Sequence, residues 1–299
     1  MGILLGLVAA FSWGAADFFA RFVTHRIGAL RTLFYMQAGG FLFLSLALPL
    51  LGGWGHLHDG SGWTPWAWGS LAGLLNTAAM FALYRSFELG KLSVVAPVSS
   101  SYPALTVLLS LLTGEHLSAL RAAGIALTVA GVILASMSSA SPRNSSSNTA
   151  PQPTQQNPRA AILWAVCAAL GFGVLFWLLG VRVVPRVGGP ASVWMIRLSS
   201  MLLSSVLVFA WPRRAPSPAP FSRRNLVLLV SGMALLDTSA FVCTNVGILF
   251  DQVSVVSVLA SLYGAVTVAL AAAILREKLA WWQWSGIALI FAGVFFVSR

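Results

Sequence analysis

Apolar runs about twenty residues long, separated by short polar stretches, recur along the chain at about 3–20, 32–53, 64–86, 92–113 and 119–138. After a gap they resume at about 160–181, 190–211, 225–249, 252–274 and 280–298. A helix of roughly twenty residues covers the hydrocarbon core of a bilayer. With no water there to satisfy the backbone, each apolar run is expected to be helical. The pattern therefore predicts an all-α membrane protein with ten transmembrane helices in two sets of five, residues 1–138 and 160–299. The gap, "SASPRNSSSNTAPQPTQQNPR" (139–159), is rich in Ser, Asn, Gln and Pro. It has too little apolar surface to fold alone and reads as a flexible linker.

The two sets resemble each other. "GIALTVAGV" (124–132) matches "GIALIFAGV" (286–294) at seven of nine positions. "LSVVAPVSSSYPALTV" (92–107) aligns with "VSVVSVLASLYGAVTV" (253–268), and "LLNTAAM" (74–80) with "LLDTSAF" (235–241). Three blocks in the same order at nearly constant spacing indicate an internal duplication. Five spans is an odd number, so a second copy enters the membrane from the opposite side. The halves are then inverted repeats about a pseudo-two-fold axis in the membrane plane. Transporters of that design place their substrate site near the midplane between the repeats.

Composition narrows the function further. Charged residues make up only 8% of the chain, against about 25% in soluble domains. Twelve Trp and eighteen Phe suffice for interfacial belts as well as packing. The net charge of +11 is spread singly or in pairs between apolar runs, which suits lipid headgroups and not nucleic acid. Cys167 and Cys243 fall inside apolar runs, so no extracellular disulfide framework is implied. "MGILLGLVAAFSWG" lacks a basic n-region and an A-x-A site and reads as a retained first span. No H-E-x-x-H pair, G-x-S-x-G elbow or Walker A sequence occurs, so an enzyme, a cofactor and direct ATP drive are not expected.

The repeated segments also carry a family resemblance. "AAFSWGAADFF" resembles the Trp-Gly first helix of the EamA family in the drug/metabolite transporter superfamily. "SSSYPALTVLLSLLTGEHLSALRAAGIALTVAGVIL" resembles its fourth and fifth helices, with Pro103, Glu115 and Gly124 in place, and Glu277 and Gly286 mark the second copy. Two departures stand out. Gly264 replaces the proline, which predicts a different bend in the ninth span, and Gly171-Phe172-Gly173 stands where a second Trp-Gly is expected. The resemblance implies cytoplasmic termini, whereas most basic residues then fall in external loops, contrary to the positive-inside tendency. It implies a secondary transporter in a bacterial inner membrane, exporting small amphipathic metabolites such as amino acids, or xenobiotics. Its partners are a small-molecule substrate, membrane lipids and protons as the coupling ion, in a monomer or homodimer. A lipid flippase is the alternative, with an intramembrane enzyme behind it.

Candidate site residues are the polar and aromatic groups within the spans. Asp237 is the only charge between Asn225 and Phe250, and a carboxylate at mid-bilayer costs about 2.5–3.5 kcal/mol on insertion scales. Its repeat partner is Asn76. The two read as a cavity-lining pair that binds a polar or cationic substrate, as a proton carrier, or as a structural hydrogen-bonding position. Arg197, at an arginine position of the family's second-helix motif with Gln37 as nearest equivalent, binds an anionic group, neutralises Asp237 or snorkels. Asp17 lies four residues before Arg21, the spacing of an ion pair on one helix face. It also parallels an acidic first-helix residue of small multidrug relatives. Pro97 and Pro103 break the fourth span and free carbonyls there. Ser99, Ser100 and Ser101 then face the break or bond back to their own helix. Tyr102 pairs with Tyr263 by repeat. Trp13 and Trp177 form an aromatic wall or serve as packing. Glu115 and Glu277 read as caps, and the Gly124/Gly131 and Gly286/Gly293 pairs as close-packing faces.

Overall fold

The computed structural model describes residues 1–51, 62–90, 92–136, 157–210, 222–275 and 281–297. Most of the 139–159 stretch, together with Glu277, lies outside them. Every regular element among the described residues is helical. The first half holds α1 (Gly2–Ile27), α2 (Ala29–Ala47), α3 (Thr64–Leu89), α4 (Leu92–Ser99), α5 (Pro103–Leu112) and α6 (Ala119–Ser136). The second holds α7 (Pro158–Leu178), α8 (Val184–Val187), α9 (Gly189–Ala210), α10 (Arg223–Ile248), α11 (Val253–Ala260), α12 (Tyr263–Leu275) and α13 (Trp281–Val297). A π-turn at Leu179–Val183 runs α7 into α8, so Pro158–Val187 is one apolar stretch. Pro185 offers no N–H there and collides with the carbonyl of an ordinary turn, the usual setting for a helix to widen.

Among the described residues, six helical stretches are long and apolar enough to cross a membrane: Gly2–Ile27, Val94–Leu112, Pro158–Val187, Gly189–Ala210, Arg223–Ile248 and Val253–Leu270. Large apolar side chains face outward along them, with Phe11 66% and Leu163 65% exposed. A soluble surface does not carry that much contiguous apolar area, whereas lipid solvates it. The chain is an integral, multi-pass membrane protein.

The fourth and ninth apolar runs are each two helices. α4 ends at Ser99 and α5 starts at Pro103; α11 ends at Ala260 and α12 starts at Tyr263. The two spans break at equivalent places, although Gly264 stands where Pro103 does. A Cβ on Gly264 would sit 2.8 Å from the Ser100 Cβ and 3.3 Å from the Ala96 carbonyl. The two broken helices thus cross at near contact, and this crossing, not a proline, accompanies the second break.

Packing is reciprocal throughout. α1 lies on α10 as α3 lies on α7; α2 faces α9, and α6 faces α13. A Cβ on Gly14 would strike the Val266 side chain and approach the Tyr263 carbonyl at 3.1 Å. A Cβ on Gly173 would approach the Leu105 side chain at 2.8 Å and the Tyr102 carbonyl at 3.0 Å. Thr267 donates to the Gly14 carbonyl (3.2 Å), and Thr106 donates to the Gly173 carbonyl (3.0 Å). Phe172-Gly173 therefore occupies the place of Trp13-Gly14. The small residues of α6 and α13 meet each other: a Cβ at Gly131 would fall 2.7 Å from both the Gly286 carbonyl and the Ile290 nitrogen. These glycines serve close packing between helices of the same chain.

Candidate functional site: an aromatic cavity with two aspartates

Where the broken helices cross, a cavity of about 30 Å³ is lined by Trp13, Asp17, Met80, Leu83, Tyr102, Phe172, Phe176, Asp237, Phe241 and Tyr263. That is room for roughly two waters in this conformation. The lining falls into pairs from the two halves: Met80 with Phe241 and Tyr102 with Tyr263 at a spacing of 161, and Trp13 with Phe172 and Asp17 with Phe176 at 159, the spacing of Gly14 and Gly173. The two tyrosines stack at 6.4 Å between centroids. The Tyr102 hydroxyl donates to the Ser257 carbonyl (3.0 Å) and the Tyr263 hydroxyl to Ser99 Oγ (3.2 Å). Each ring is thereby held by the opposite broken helix. Trp13 makes edge contacts with Phe176 and Phe241 at 5.6 Å and with Tyr263 at 6.2 Å.

Asp237 on α10 is ion-paired with Arg197 on α9. The guanidinium is 1% exposed, donates to Gln37 Oε1 at 2.8 Å, and lies 5.4 Å from the Phe241 ring centroid. It does not snorkel. Burying a cation this deeply is costly unless it is paired and hydrogen-bonded, and Asp237, Gln37 and the ring face provide that. Asn76, the repeat partner of Asp237, does not line the cavity. Its side-chain nitrogen donates to Ser200 Oγ (3.1 Å), which in turn donates to the Gly73 carbonyl (3.0 Å). The two members of the symmetric position thus meet α9 in different ways.

Asp17 behaves otherwise. It is 6% exposed, lines the cavity, and its Oδ2 is buried without a hydrogen-bond partner. The spacing to Arg21 is not closed into an ion pair. Ion pairs do form between Arg85 and Glu88, Arg121 and Asp251, and Arg197 and Asp237. Ser99 and Ser100 donate to the carbonyls of Ala96 and Pro97, so they bond back into their own helix, and Ser99 also receives Tyr263. Trp177 stands apart from the cavity and donates to Thr113 Oγ1 (3.1 Å). Glu115 does cap a helix, but in the other half: its Oε1 accepts the Ser254 backbone N–H of α11 (3.2 Å).

Phe172, Phe176, Phe241, Met80 and Leu83 were not singled out from the sequence. The spacing of 161 set by the later helices leads from Trp13 and Asp17 to Val174 and Leu178. The first helices pair at 159, a register visible only once Gly14 and Gly173 are seen in equivalent contacts. Among the described residues no three His, Cys, Asp or Glu side chains are grouped to hold a metal ion.

The fold is shared with known proteins. A solved crystal structure, 20% identical, covers 99% of this chain and 96% of its own length at a TM-score of 0.73. An uncharacterized protein of Methanocaldococcus jannaschii is 32% identical over 139 residues, which are 46% of this chain and 96% of that protein. The model of the EamA-like transporter family matches residues 1–137 and 159–299. With nearly its whole length so matched, the chain belongs to the EamA-like transporter family, a family of membrane transporters.

Proposed function

We propose that the protein is a secondary transporter that exports small amphipathic metabolites or xenobiotics by alternating access. Its two halves, residues 1–138 and 160–299, are inverted five-helix repeats joined by 139–159. The cavity between them is the substrate site, and Asp17, Asp237 and Arg197 are its charged groups. The observation that carries this reading is the location of the cavity. It lies where equivalent residues of both halves converge, enclosed by aromatic rings and holding two membrane-depth aspartates. The reciprocal packing of α1 on α10 and α3 on α7 supports a two-fold relation that lets the halves exchange roles. The archaeal relative supports it as well, since its nearly complete length aligns with less than half of this chain. A flippase for acidic headgroups calls for a basic rim, and this lining carries two carboxylates.

Alternating access also needs a closable end. At the end of the bundle that holds Gly2, Arg121 bonds Asp251 (3.2 Å) and Gln252 (2.8 Å), while Gln252 bonds the His116 carbonyl (2.7 Å). This latch joins the first half to the second. The position 161 residues before Asp251 is Gly90, which packs on Ala161, so the Asp251 side of the latch has no acidic counterpart there. Cysteines at Arg121 and Gln252, oxidised to a disulfide, are expected to stop counterflow of labelled amino acids and aromatic amines in proteoliposomes, with recovery on reduction. Full-rate counterflow by the cross-linked protein overturns the rocking mechanism.

A further inference from the structure

The two cavity aspartates are not equivalent. Asp237 is already matched by Arg197, which also holds Gln37. Asp17 is not matched: it is buried, it faces the cavity, and its Oδ2 has no partner among the described residues. Its repeat counterpart is Phe176, an apolar ring, so the carboxylate is not required by the packing of that position. An unpaired buried carboxylate is unfavourable unless it takes up a proton or something else supplies the opposite charge. With Asp17 ionised, the site holds two aspartates against one arginine, and a cationic ligand would neutralise the charge left over. Around it stand Trp13, Tyr102, Tyr263, Phe172, Phe176 and Phe241. Aromatic faces grouped about one carboxylate are the chemistry that binds an alkylated ammonium: the rings take the apolar shell and the diffuse charge, and the carboxylate takes the remainder. They suit a zwitterion less well, because the arginine that would receive a carboxylate is committed to Asp237.

We propose that the cavity, when it opens beyond the roughly two-water volume it has in this conformation, binds a small organic monocation, with its ammonium group against Asp17 and its alkyl groups against the Trp13, Phe176 and Tyr263 rings. This rests on the transporter reading only for the cation's passage, since binding is measured without flux.

Choline, its uncharged carbon isostere dimethylbutanol and the zwitterion glycine betaine are the probes, titrated calorimetrically against the detergent-purified full chain. Choline is expected to bind at least tenfold more tightly than the isostere or betaine. Asp17→Asn is expected to abolish that difference and Asp17→Glu to keep part of it, with folding of both checked by gel filtration. Equal binding of choline and isostere by the wild type overturns the proposal, as does betaine binding best. Asp17→Asn retaining the full preference for choline overturns it too. So does an Asp17→Asn variant that loses only a response to pH, which makes Asp17 a proton carrier. Choline binding without flux of labelled choline into proteoliposomes counts against transport and leaves the site standing. Flux of other solutes unchanged by Asp17→Asn counts against the site and leaves transport standing.

Discussion

Within a membrane, a single side chain is decided by whether its polar atoms find partners. Arg197 is 1% exposed and depends on Asp237 and Gln37. Removing one member of a buried pair leaves the other charge uncompensated, at a cost of about 3–5 kcal/mol. Asp237→Leu and Arg197→Met are each expected to lower the unfolding free energy by that order, read as a lower thermal-unfolding midpoint. The double variant is expected to recover most of the loss, because no charge is left behind, and to remain inactive. If the double variant is no more stable than either single one, the pair is not the source of the stability. The charge of Asp237 was conspicuous in the sequence, being alone between Asn225 and Phe250. Its engagement by Arg197, and the absence of any such engagement for Asp17, were not. Residue spacing places Asp17 on the Arg21 face of one helix but says nothing about which way the neighbouring helices present their own groups.

At the scale of elements, contacts between backbones set the geometry. Gly131 lies so near the Gly286 carbonyl and the Ile290 nitrogen that any Cβ must push α6 from α13. Gly131→Leu is expected to destabilise by about 1–3 kcal/mol, the usual cost of overpacking. Gly232 on α10 has nothing within 4 Å of its would-be Cβ. Gly232→Ala is expected to be neutral or to stabilise by up to about 1 kcal/mol, through the better helix propensity of alanine. Thermal unfolding in detergent compares the two. Thr106 and Thr267 bond the carbonyls of Gly173 and Gly14 across equivalent helix pairs. Alanine at either is expected to cost about 0.6 kcal/mol, the mean for hydrogen bonds between membrane helices, with the two losses adding in the double variant. Unequal losses, one near zero, break the equivalence of the two contacts. Helix extents were largely legible as apolar runs, since length and the need to satisfy the backbone leave little choice. The break between α11 and α12 was legible only in its proline-bearing counterpart.

For the whole molecule, the duplication and its order were written in the chain: "LLNTAAM" and "LLDTSAF" lie at the same spacing as "LSVVAPVSSSYPALTV" and "VSVVSVLASLYGAVTV". By itself the sequence determined that the protein lives in a membrane, that similar segments recur in its two halves, and that Asp237, Asp17, Arg197, Tyr102 and Tyr263 are polar groups within apolar runs. Those properties are local or additive: burial in lipid follows from apolar length, and repetition follows from identity. Only the tertiary structure decided which polar groups meet. It brought Asp237 to Arg197, turned Asn76 to Ser200, bonded Ser99 and Ser100 back into their helix, and left Asp17 Oδ2 without a hydrogen-bond partner in the cavity. The physical reason is that a charge buried from water is governed by atoms within a few ångströms. Those atoms come from helices distant in the sequence, brought together by packing that no local pattern encodes.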